Sequence, residues 1–341
     1  MIIFVNASNI HTGGGKVILN DFLSATKFFN HISFKFFIDA RFNFTEFKSN
    51  NMSFNRIKKK KRFLVCFDIE KQTHKDDIVI YLTNIPPIIK HKCKTILVQS
   101  NRFVIDNFSL SGFSIITKIR INVERVLFYL NKNNVDYIIV QSDSMSTVLQ
   151  KKGIKNNKLL VNAYKDVYEE ETIKNVNQQR HRNIFLYVSS DDPHKNHNKL
   201  IEAWCLLSNE NIYPKLILTI DKNTNLHKSI VEKCKKYGLN IDVMPNIDRK
   251  NILRLYKQSS ALIFPSFIES YGLPLVEASH FKLPVIASEL DFVRDLLDPV
   301  ETFDPNSAIS ISRSVKRFLK IKDKKTDIVT PVDFIKNVIS L

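Results

Sequence analysis

The chain contains 341 residues, of which 44% are hydrophobic, and it includes 25 phenylalanines. This length suits two domains of ordinary size, and this composition excludes a disordered chain. No apolar run is long enough to span a bilayer, and we expect no secretory leader, because the first residues, MIIFVN, have the pattern of a strand.

The four cysteines are spread along the chain without a C-x-x-C pair. They are Cys66, Cys93, Cys205 and Cys234. Such spacing is typical of reduced thiols in the cytoplasm rather than of disulfides or metal ligands. We therefore expect a cytoplasmic protein.

The positive charge is concentrated in the first half. Residues 1–165 contain 26 basic and 11 acidic residues, a net charge of +15, whereas the remainder contains 25 and 23, a net charge of +2. This asymmetry indicates an anionic partner for the first half, such as a membrane surface or a nucleic acid. The aromatic residues lie mostly in apolar runs and not between the basic blocks, which is unlike a nucleic-acid-binding surface. We therefore expect an anionic membrane surface and no nucleic acid.

Short apolar runs predict a parallel sheet in the first half, because they alternate with helical or irregular segments. The predicted strands are residues 2–5, 34–38, 63–66, 78–82, 95–99 and 137–141. Gly13, Gly14 and Gly15 follow the first strand and precede a helix with one apolar side. They predict either a plain turn or a loop at which the backbone approaches a ligand closely. The residue order fits neither a P-loop nor G-x-G-x-x-G.

Two basic segments of this half have alternative interpretations. Residues 58–62 form the block KKKKR, which is typical of a solvated loop. Residues 113–130 place apolar side chains at helical spacing, with Lys118 and Arg125 beside the apolar stripe. A basic amphipathic helix of this kind either lies on anionic lipid or packs on its own sheet.

A polar, charged run between Asn162 and Arg182 predicts a linker between two domains. We place the first domain at residues 1–165, the linker at 166–182, the second domain at 183–325 and a last helical segment at 326–341. Strands of the second domain are predicted at residues 184–188, 216–220, 241–244, 261–264 and 285–287.

The segment ALIFPSFIESYGLPLVEASHFKLPVIASEL, residues 261–290, is the most informative stretch. A buried strand is followed by a turn and by a helix that begins at Pro274. The backbone amides of Tyr271, Gly272 and Leu273 would point out of that helix N-terminus, which predicts a phosphate site. Glu269 and Glu277 flank this point. The alternative is an ordinary βαβ unit with two surface glutamates.

A second junction, SSDDPHKNH at residues 189–197, follows the first strand of the second domain. Lys195 would be a point charge beside another helix N-terminus, or simply a surface lysine next to a turn. His194 and His197 lack a third metal ligand. We therefore expect no metal and no other cofactor.

The segment E-S-Y-G-L-P-L-V-E-A closely resembles the E-x7-E signature of retaining glycosyltransferase family 4, with Tyr271 where Phe is usual. The resemblance implies the GT-B fold, an α/β architecture in which two Rossmann-like domains face each other across a cleft. It also implies a metal-independent hexosyltransferase that uses a nucleotide-diphosphate sugar. The acceptor would be a lipid-linked glycan of bacterial surface polysaccharide, such as lipopolysaccharide O-antigen, at the inner face of the plasma membrane.

The resemblance also implies roles for individual residues. Glu269 would face the donor sugar, Glu277 would bind the ribose hydroxyls, and Lys195 would neutralise the leaving diphosphate. The remaining donor-binding positions would be Ser190, Ser270, Tyr271, Gly272 and Leu273, with Gly13, Gly14 and Gly15 facing them from the first domain. The last helix would cross back onto the first domain.

This sequence departs from the family pattern at two positions. The family carries R-x4-K at the second junction, but Ser190 occupies the arginine position. The family often carries a histidine on the acceptor side, where Asn101 is the nearest counterpart here, and the adjacent Arg102 could supply a charge across the cleft. Two other classes stay open, a nucleotide-sugar epimerase or hydrolase with the same fold and a non-catalytic assembly partner at the membrane. The sequence leaves the oligomeric state open.

Overall fold

The computed structural model describes residues 1–11, 13–44, 47, 49–162, 180, 183–245, 247–323 and 330–340. The strands within these residues form two separate sheets, and every strand pairing in them is parallel. The predicted pair of parallel-sheet domains is therefore confirmed.

The sheet of the first domain has the strand order β3-β2-β1-β4-β5-β6-β7 across the described residues. Its strands are β1 Ile2–Ala7, β2 Ser33–Asp39, β3 Met52–Ile57, β4 Ile78–Tyr81, β5 Lys94–Gln99, β6 Tyr137–Val140 and β7 Leu159–Val161. The strand order reverses between β1 and β4, so a crevice opens there at the carboxyl ends of the strands.

The sheet of the second domain has the order β10-β9-β8-β11-β12-β13. Its strands are β8 Ile184–Tyr187, β9 Lys215–Leu218, β10 Ile241–Val243, β11 Ala261–Phe264, β12 Val285–Ser288 and β13 Glu301–Phe303. Its order reverses between β8 and β11, the two strands that carry the motif-bearing loops.

Helices cover both faces of each sheet. In the first domain they are α1 Gly13–Ala25, α2 Val65–Glu70, α3 Arg102–Ile105, α4 Ile115–Asn131 and α5 Asp143–Lys151. In the second part they are α6 His197–Asn209, α7 Asn225–Tyr237, α8 Arg249–Gln258, α9 Leu273–His280, α10 Asp291–Arg294, α11 Ala308–Phe318 and α12 Pro331–Ile339. None of the helices among the described residues combines the length and apolar character that a bilayer crossing needs.

The core of the second domain is one cluster around Trp204, Tyr187 and Phe264, all buried. The first domain has a separate cluster on each side of its sheet, one around Phe128 and one around Phe36. Each domain therefore buries its own apolar residues, as two independent folding units require.

The strand predicted at residues 63–66 is wrong. Lys59–Leu64 is a 3-10 helix, and α2 begins at Val65. Val65, Cys66 and Ile69 are buried while Phe63 is exposed, so burial follows a helical spacing rather than the alternation of a strand. Within the described residues, the sequence missed three strands, β3, β7 and β13. Each lies at a sheet edge and is only partly buried.

The helix predicted at residues 113–130 is present as α4. It contacts the core through Ile121 and Phe128, while Ile116, Ile119 and Val123 of the predicted stripe are exposed. The stripe therefore does not pack on the sheet of its own domain.

Most of the predicted linker lies outside the described residues. Arg180 is described, and its guanidinium donates to the carbonyls of Phe281 and Lys282 at 2.8 and 2.7 Å. The last predicted segment is described from residue 330, and its helix α12 exposes Val332 and Ile335.

Candidate functional site

A glycine fixes the turn at the predicted phosphate site. Gly272 has a φ of +74°, and a Cβ added there would lie 3.0 Å from Leu275 Cδ1. Only glycine avoids both the backbone strain and this close approach. The carbonyl of Gly272 accepts the N–H of Leu275 at 2.8 Å, and Pro274 stands in the first turn of α9. The N-terminus of α9 is therefore presented at the carboxyl edge of the sheet, with the positive end of its dipole.

Two side chains tie the loop that carries Lys195 to its neighbours. Asn196 adopts a left-handed conformation, and its side-chain amide donates to the carbonyls of Pro265 and Pro305 at 3.1 and 2.7 Å. The Tyr187 hydroxyl donates to the carbonyl of Lys195 at 2.8 Å. The loops after β8, β11 and β13 are thereby held together, and the position of the lysine is fixed.

Lys195 and Glu269 form an ion pair. Lys195 Nζ lies 2.6 Å from Glu269 Oε1, and the two side chains are only 16% and 11% exposed. The sequence predicted both residues at the site but not this contact. Because both groups are largely withdrawn from water, their interaction is screened less than that of a surface pair.

Ser190 brings no positive charge to this loop. Its hydroxyl donates to Asp192 Oδ2 at 2.6 Å, and its carbonyl accepts from His197 Nε2 at 2.8 Å. Burial lowers the pKa of His197 to about 4, so its ring is neutral at pH 7. Residues 189–195 contain one lysine and no arginine, which leaves Lys195 as the fixed cation of this junction.

Glu277 is buried rather than on the surface. Its Oε2 accepts the Tyr256 hydroxyl at 2.6 Å, and its Oε1 accepts from Arg249 Nη1 at 2.9 Å. Arg249, at the start of α8, keeps 44% of its side chain exposed. Sequence reasoning missed both partners because no motif links residues 249 and 256 to residue 277. The interpretation of Glu269 and Glu277 as two surface glutamates is wrong.

The three glycines form the first turn of α1 rather than a loop before it. A Cβ on Gly14 would lie 3.6 Å from Leu273 Cδ1, and one on Gly15 would lie 3.5 Å from Ile10. The N-terminus of α1 in the first domain therefore meets the N-terminus of α9 in the second. Two helix dipoles with their positive ends toward one point favour an anion between them.

Asn101 and Arg102 are committed to contacts within the protein. Asn101 caps α3 by accepting the N–H of Phe103 at 3.1 Å. The Arg102 guanidinium donates to Asp106 at 3.1 Å, within its own domain, while its backbone N–H donates to Ser270 Oγ at 2.8 Å. Arg102 thus bridges the cleft through its backbone, and its charge is turned toward Asp106.

Two further contacts join the domains beside this bridge. The Ser144 N–H donates to Asp295 Oδ2 at 2.9 Å. The His194 ring packs against both Phe103 and Phe113, with centroid distances of 4.9 and 5.9 Å. Burial lowers the pKa of His194. These contacts were not predicted, because residues far apart in the chain form them.

The assembled site has the features of an anion-binding cleft with two carboxylates. Lys195 and two helix N-termini supply positive potential, while Glu269 and Glu277 supply hydrogen-bond acceptors. Among the described residues, no group of three or more His, Cys, Asp or Glu side chains could hold a metal ion. The arrangement can bind a phosphorylated, hydroxyl-rich ligand.

Comparison with solved structures places this architecture in the GT-B class. WaaG, a glycosyltransferase involved in lipopolysaccharide biosynthesis, superposes with a TM-score of 0.68 at 13% identity, covering 94% of this chain and 90% of the other. Anabaena Alr3699/HepE in complex with UDP-glucose superposes with a TM-score of 0.66 at 13% identity, with the same two coverages. At this identity the likeness establishes the fold.

Residues 169–331 match the family model described as glycosyl transferases group 1. The serotype-specific mannosyltransferase WbdA of Escherichia coli is 28% identical over 148 residues. The O-antigen chain mannosyltransferase B of Escherichia coli is 29% identical over 140 residues. The matched regions cover 41% and 40% of this chain, but only 18% and 36% of those two relatives.

Proposed function

We propose that the protein is a retaining glycosyltransferase that moves a hexose from a nucleotide-diphosphate sugar to a lipid-linked glycan in bacterial surface polysaccharide synthesis. The observation that carries this proposal is the Lys195–Glu269 pair, which lies beside the N-terminus of α9 where α1 of the other domain approaches. The group 1 domain match and the named activities of the relatives support it.

The proposed chemistry follows from the charges at this point. Cleavage of the anomeric C–O bond leaves its electron pair on the diphosphate and gives the sugar oxocarbenium character. Lys195 and the α9 amides stabilise the departing negative charge, and Glu269 faces the positive charge that develops on the sugar. The acceptor hydroxyl attacks the face from which the diphosphate leaves, and its proton passes to the departing phosphate oxygen. This path retains the anomeric configuration and requires no metal.

Donor binding is assigned mainly to the second domain. Glu277 keeps its carboxylate fixed by Tyr256 and Arg249, so it is oriented to accept hydrogen bonds from ribose hydroxyls. The HepE structure with UDP-glucose supports a nucleotide-sugar donor for this fold. Closure of the two domains, which already touch through Arg102 and Ser270, would exclude water from the reacting centre.

Helix α4 supports peripheral association with an anionic membrane. Ile116, Ile119, Val123, Val126 and Leu130 form an exposed apolar stripe with the i, i+3, i+4 spacing of one helix face. The first 165 residues carry a net charge of +15, which complements anionic lipid. The inner face of the plasma membrane is where such a lipid-linked acceptor and a cytoplasmic sugar donor meet.

The test is a transfer assay with a panel of nucleotide sugars and a membrane extract as acceptor. Lys195→Ala and Glu277→Ala should each abolish transfer, while Lys199→Ala, at a half-exposed lysine on α6, should leave it unchanged. Full activity in both site variants would refute the assignment. Conversion of the donor without any acceptor would instead indicate an epimerase or hydrolase, and absence of nucleotide binding would indicate a non-catalytic partner.

A further inference from the structure

The first domain contains a second concave site outside the donor cleft. A cavity of about 280 Å³ opens at the carboxyl ends of β1 and β4, where Asn6, Asn9 and Tyr81 contribute to its wall. Asn9 lies on the short connection that leads into the glycine turn of α1, so the cavity adjoins the cleft. Its volume is at the lower end of the range for small-molecule sites, which suits a sugar or a phosphate better than a whole nucleotide sugar.

Three cations line this cavity: Lys59, Arg62 and Arg120. Arg62 is held in place by an ion pair with the buried carboxylate of Asp39. Its Nε is buried and has no hydrogen-bond partner among the described residues. A guanidinium with a fixed orientation and an unused N–H is well suited to a phosphate oxygen.

Hydrogen-bonding groups for hydroxyls lie in the same wall. The Asn9 amide donates to the Thr83 carbonyl at 3.0 Å, which leaves its buried Oδ1 unpaired within the described part of the chain. Glu124 also lines the cavity, 3.9 Å from Arg120, and burial raises the pKa of its carboxyl. An amide oxygen and a carboxylate are acceptors for carbohydrate hydroxyls.

The rim of the cavity is apolar and exposed. Phe63 and Ile88 are 57% and 45% exposed, and both border the opening. Leu127 of α4 forms part of the wall, one turn beyond the exposed Val123. A basic pocket is thus continuous with the apolar face of α4, and exposed apolar surface of this kind marks an interaction site.

We propose that this cavity binds the phosphorylated head of a lipid-linked sugar, with the phosphate at Lys59, Arg62 and Arg120. The lipid chain leaves across Phe63 and Ile88 toward the α4 stripe. The sugar hydroxyls bind Asn9 and Glu124 and face the donor cleft. This inference rests on the proposed transferase function, because it assigns to this cavity the acceptor that the reaction requires.

The experiment is calorimetric titration of the full chain with octyl phosphate, octyl glucoside and inorganic phosphate, with the two octyl compounds kept below their micelle concentrations. Octyl phosphate should bind at least tenfold more tightly than either single-feature probe. The double variant Lys59→Gln, Arg120→Gln removes two exposed charges and should weaken octyl phosphate binding at least tenfold. The matched control Lys151→Gln, Lys155→Gln removes the same charge from α5 and the turn after it, and should bind as the unaltered protein does.

Glu124→Gln should change the affinity for octyl phosphate in the opposite direction. Removal of the carboxylate lowers the negative potential at the phosphate, so octyl phosphate should bind at least twofold more tightly. If inorganic phosphate binds as tightly as octyl phosphate, the proposal that the cavity recognises a lipid chain is refuted. If the double variant binds octyl phosphate as the unaltered protein does, the location of the site is refuted.

Nucleoside diphosphate titrations separate this inference from the proposed function. Nucleotide binding should be the same in the double variant as in the unaltered protein. If nucleotides bind and octyl phosphate does not, the cavity assignment fails while the transferase proposal stands. If nucleotides do not bind to any form, the transferase proposal fails and takes the acceptor role of the cavity with it.

Discussion

Lys195 and Glu269 are joined by a 2.6 Å hydrogen bond across two loops, 74 residues apart in the chain. Each side chain therefore neutralises the other before a ligand arrives. A diphosphate must compete with Glu269 for the lysine, whereas the developing positive charge of the sugar must compete with the lysine for Glu269. The Lys195–Glu269 ion pair is therefore suited to break when negative charge develops on the diphosphate and positive charge develops on the sugar.

Glu269→Gln should have opposite effects on binding and turnover. The loss of one carboxylate frees Lys195, so a nucleoside diphosphate should bind about tenfold more tightly, which corresponds to about 1.4 kcal/mol. Sugar transfer should fall about 100-fold or more, because an oriented charge at the reacting centre is lost. Calorimetry and a transfer assay measure the two effects. The same direction of change in both would contradict the proposed roles.

Arg249 and Tyr256 should contribute differently to the Glu277 network. Tyr256→Phe leaves a buried carboxylate without one hydrogen bond, so the free energy of unfolding should fall by about 2 kcal/mol in a denaturant titration. Arg249→Ala removes a half-exposed group and should mainly weaken donor binding. Arg254→Ala, on the same helix, is the control and should alter neither. A donor affinity unchanged by Arg249→Ala would remove that residue from the site.

The hydrogen bonds between the domains should set how closed the unliganded protein is. Ser270→Ala combined with Asp295→Ala removes the side-chain partners of the Arg102 and Ser144 backbone amides. The radius of gyration in solution scattering should increase, and KM for the donor should rise more than kcat falls. Asp298→Ala, at a site 95% exposed, is the matched control. Identical scattering curves would show that these bonds do not hold the domains together.

His197 should make stability depend on pH in the acid range. The pKa of His197 is about 4 in the folded protein, compared with 6.5 for the free group. Between pH 4 and pH 6.5 its side chain is therefore protonated in the unfolded chain and neutral in the folded protein. The contribution of His197 to the free energy of unfolding is therefore complete above pH 6.5. It decreases by about 3 kcal/mol as the pH drops toward 4.

His197→Gln should remove the part of the pH dependence of the free energy of unfolding that His197 causes. The pKa values of His91 and His194 are also lowered by burial, so some acid sensitivity will remain. Denaturant titrations between pH 4 and pH 7 measure the difference between the two proteins. His227→Gln, on α7, should keep the full slope, and an equal slope in His197→Gln would refute the prediction.

The α4 stripe should govern membrane binding. Ile116→Ser with Ile119→Ser removes two exposed apolar side chains, each worth about 2 kcal/mol when buried. The affinity for anionic vesicles, measured by co-sedimentation, should fall at least tenfold. High salt should reduce the binding of the unaltered protein. Tyr213→Ser, 52% exposed in the second domain, is the control. Equal sedimentation with neutral vesicles would contradict the role of the basic charge.

The sequence alone was sufficient for the two-sheet architecture and for the positions of Glu269, Glu277 and Lys195. Apolar runs separated by turns specify buried parallel strands, and the Gly272–Pro274 turn specifies a helix start, because these signals are local. Segment 63–66 shows the limit of local reasoning. Four apolar residues fit either a strand or one helical turn, and only the packing of Val65 and Ile69 decides between them.

Only the tertiary structure decided which charged side chains form ion pairs with each other. The pairing of Lys195 with Glu269 and the anchoring of Glu277 by Arg249 each depend on distances between elements that are separate in the chain. The α4 stripe is a similar case, since an amphipathic pattern specifies one apolar face but not what covers it. Periodicity acts along the chain, whereas electrostatic partners and burial are set by elements that meet only after folding.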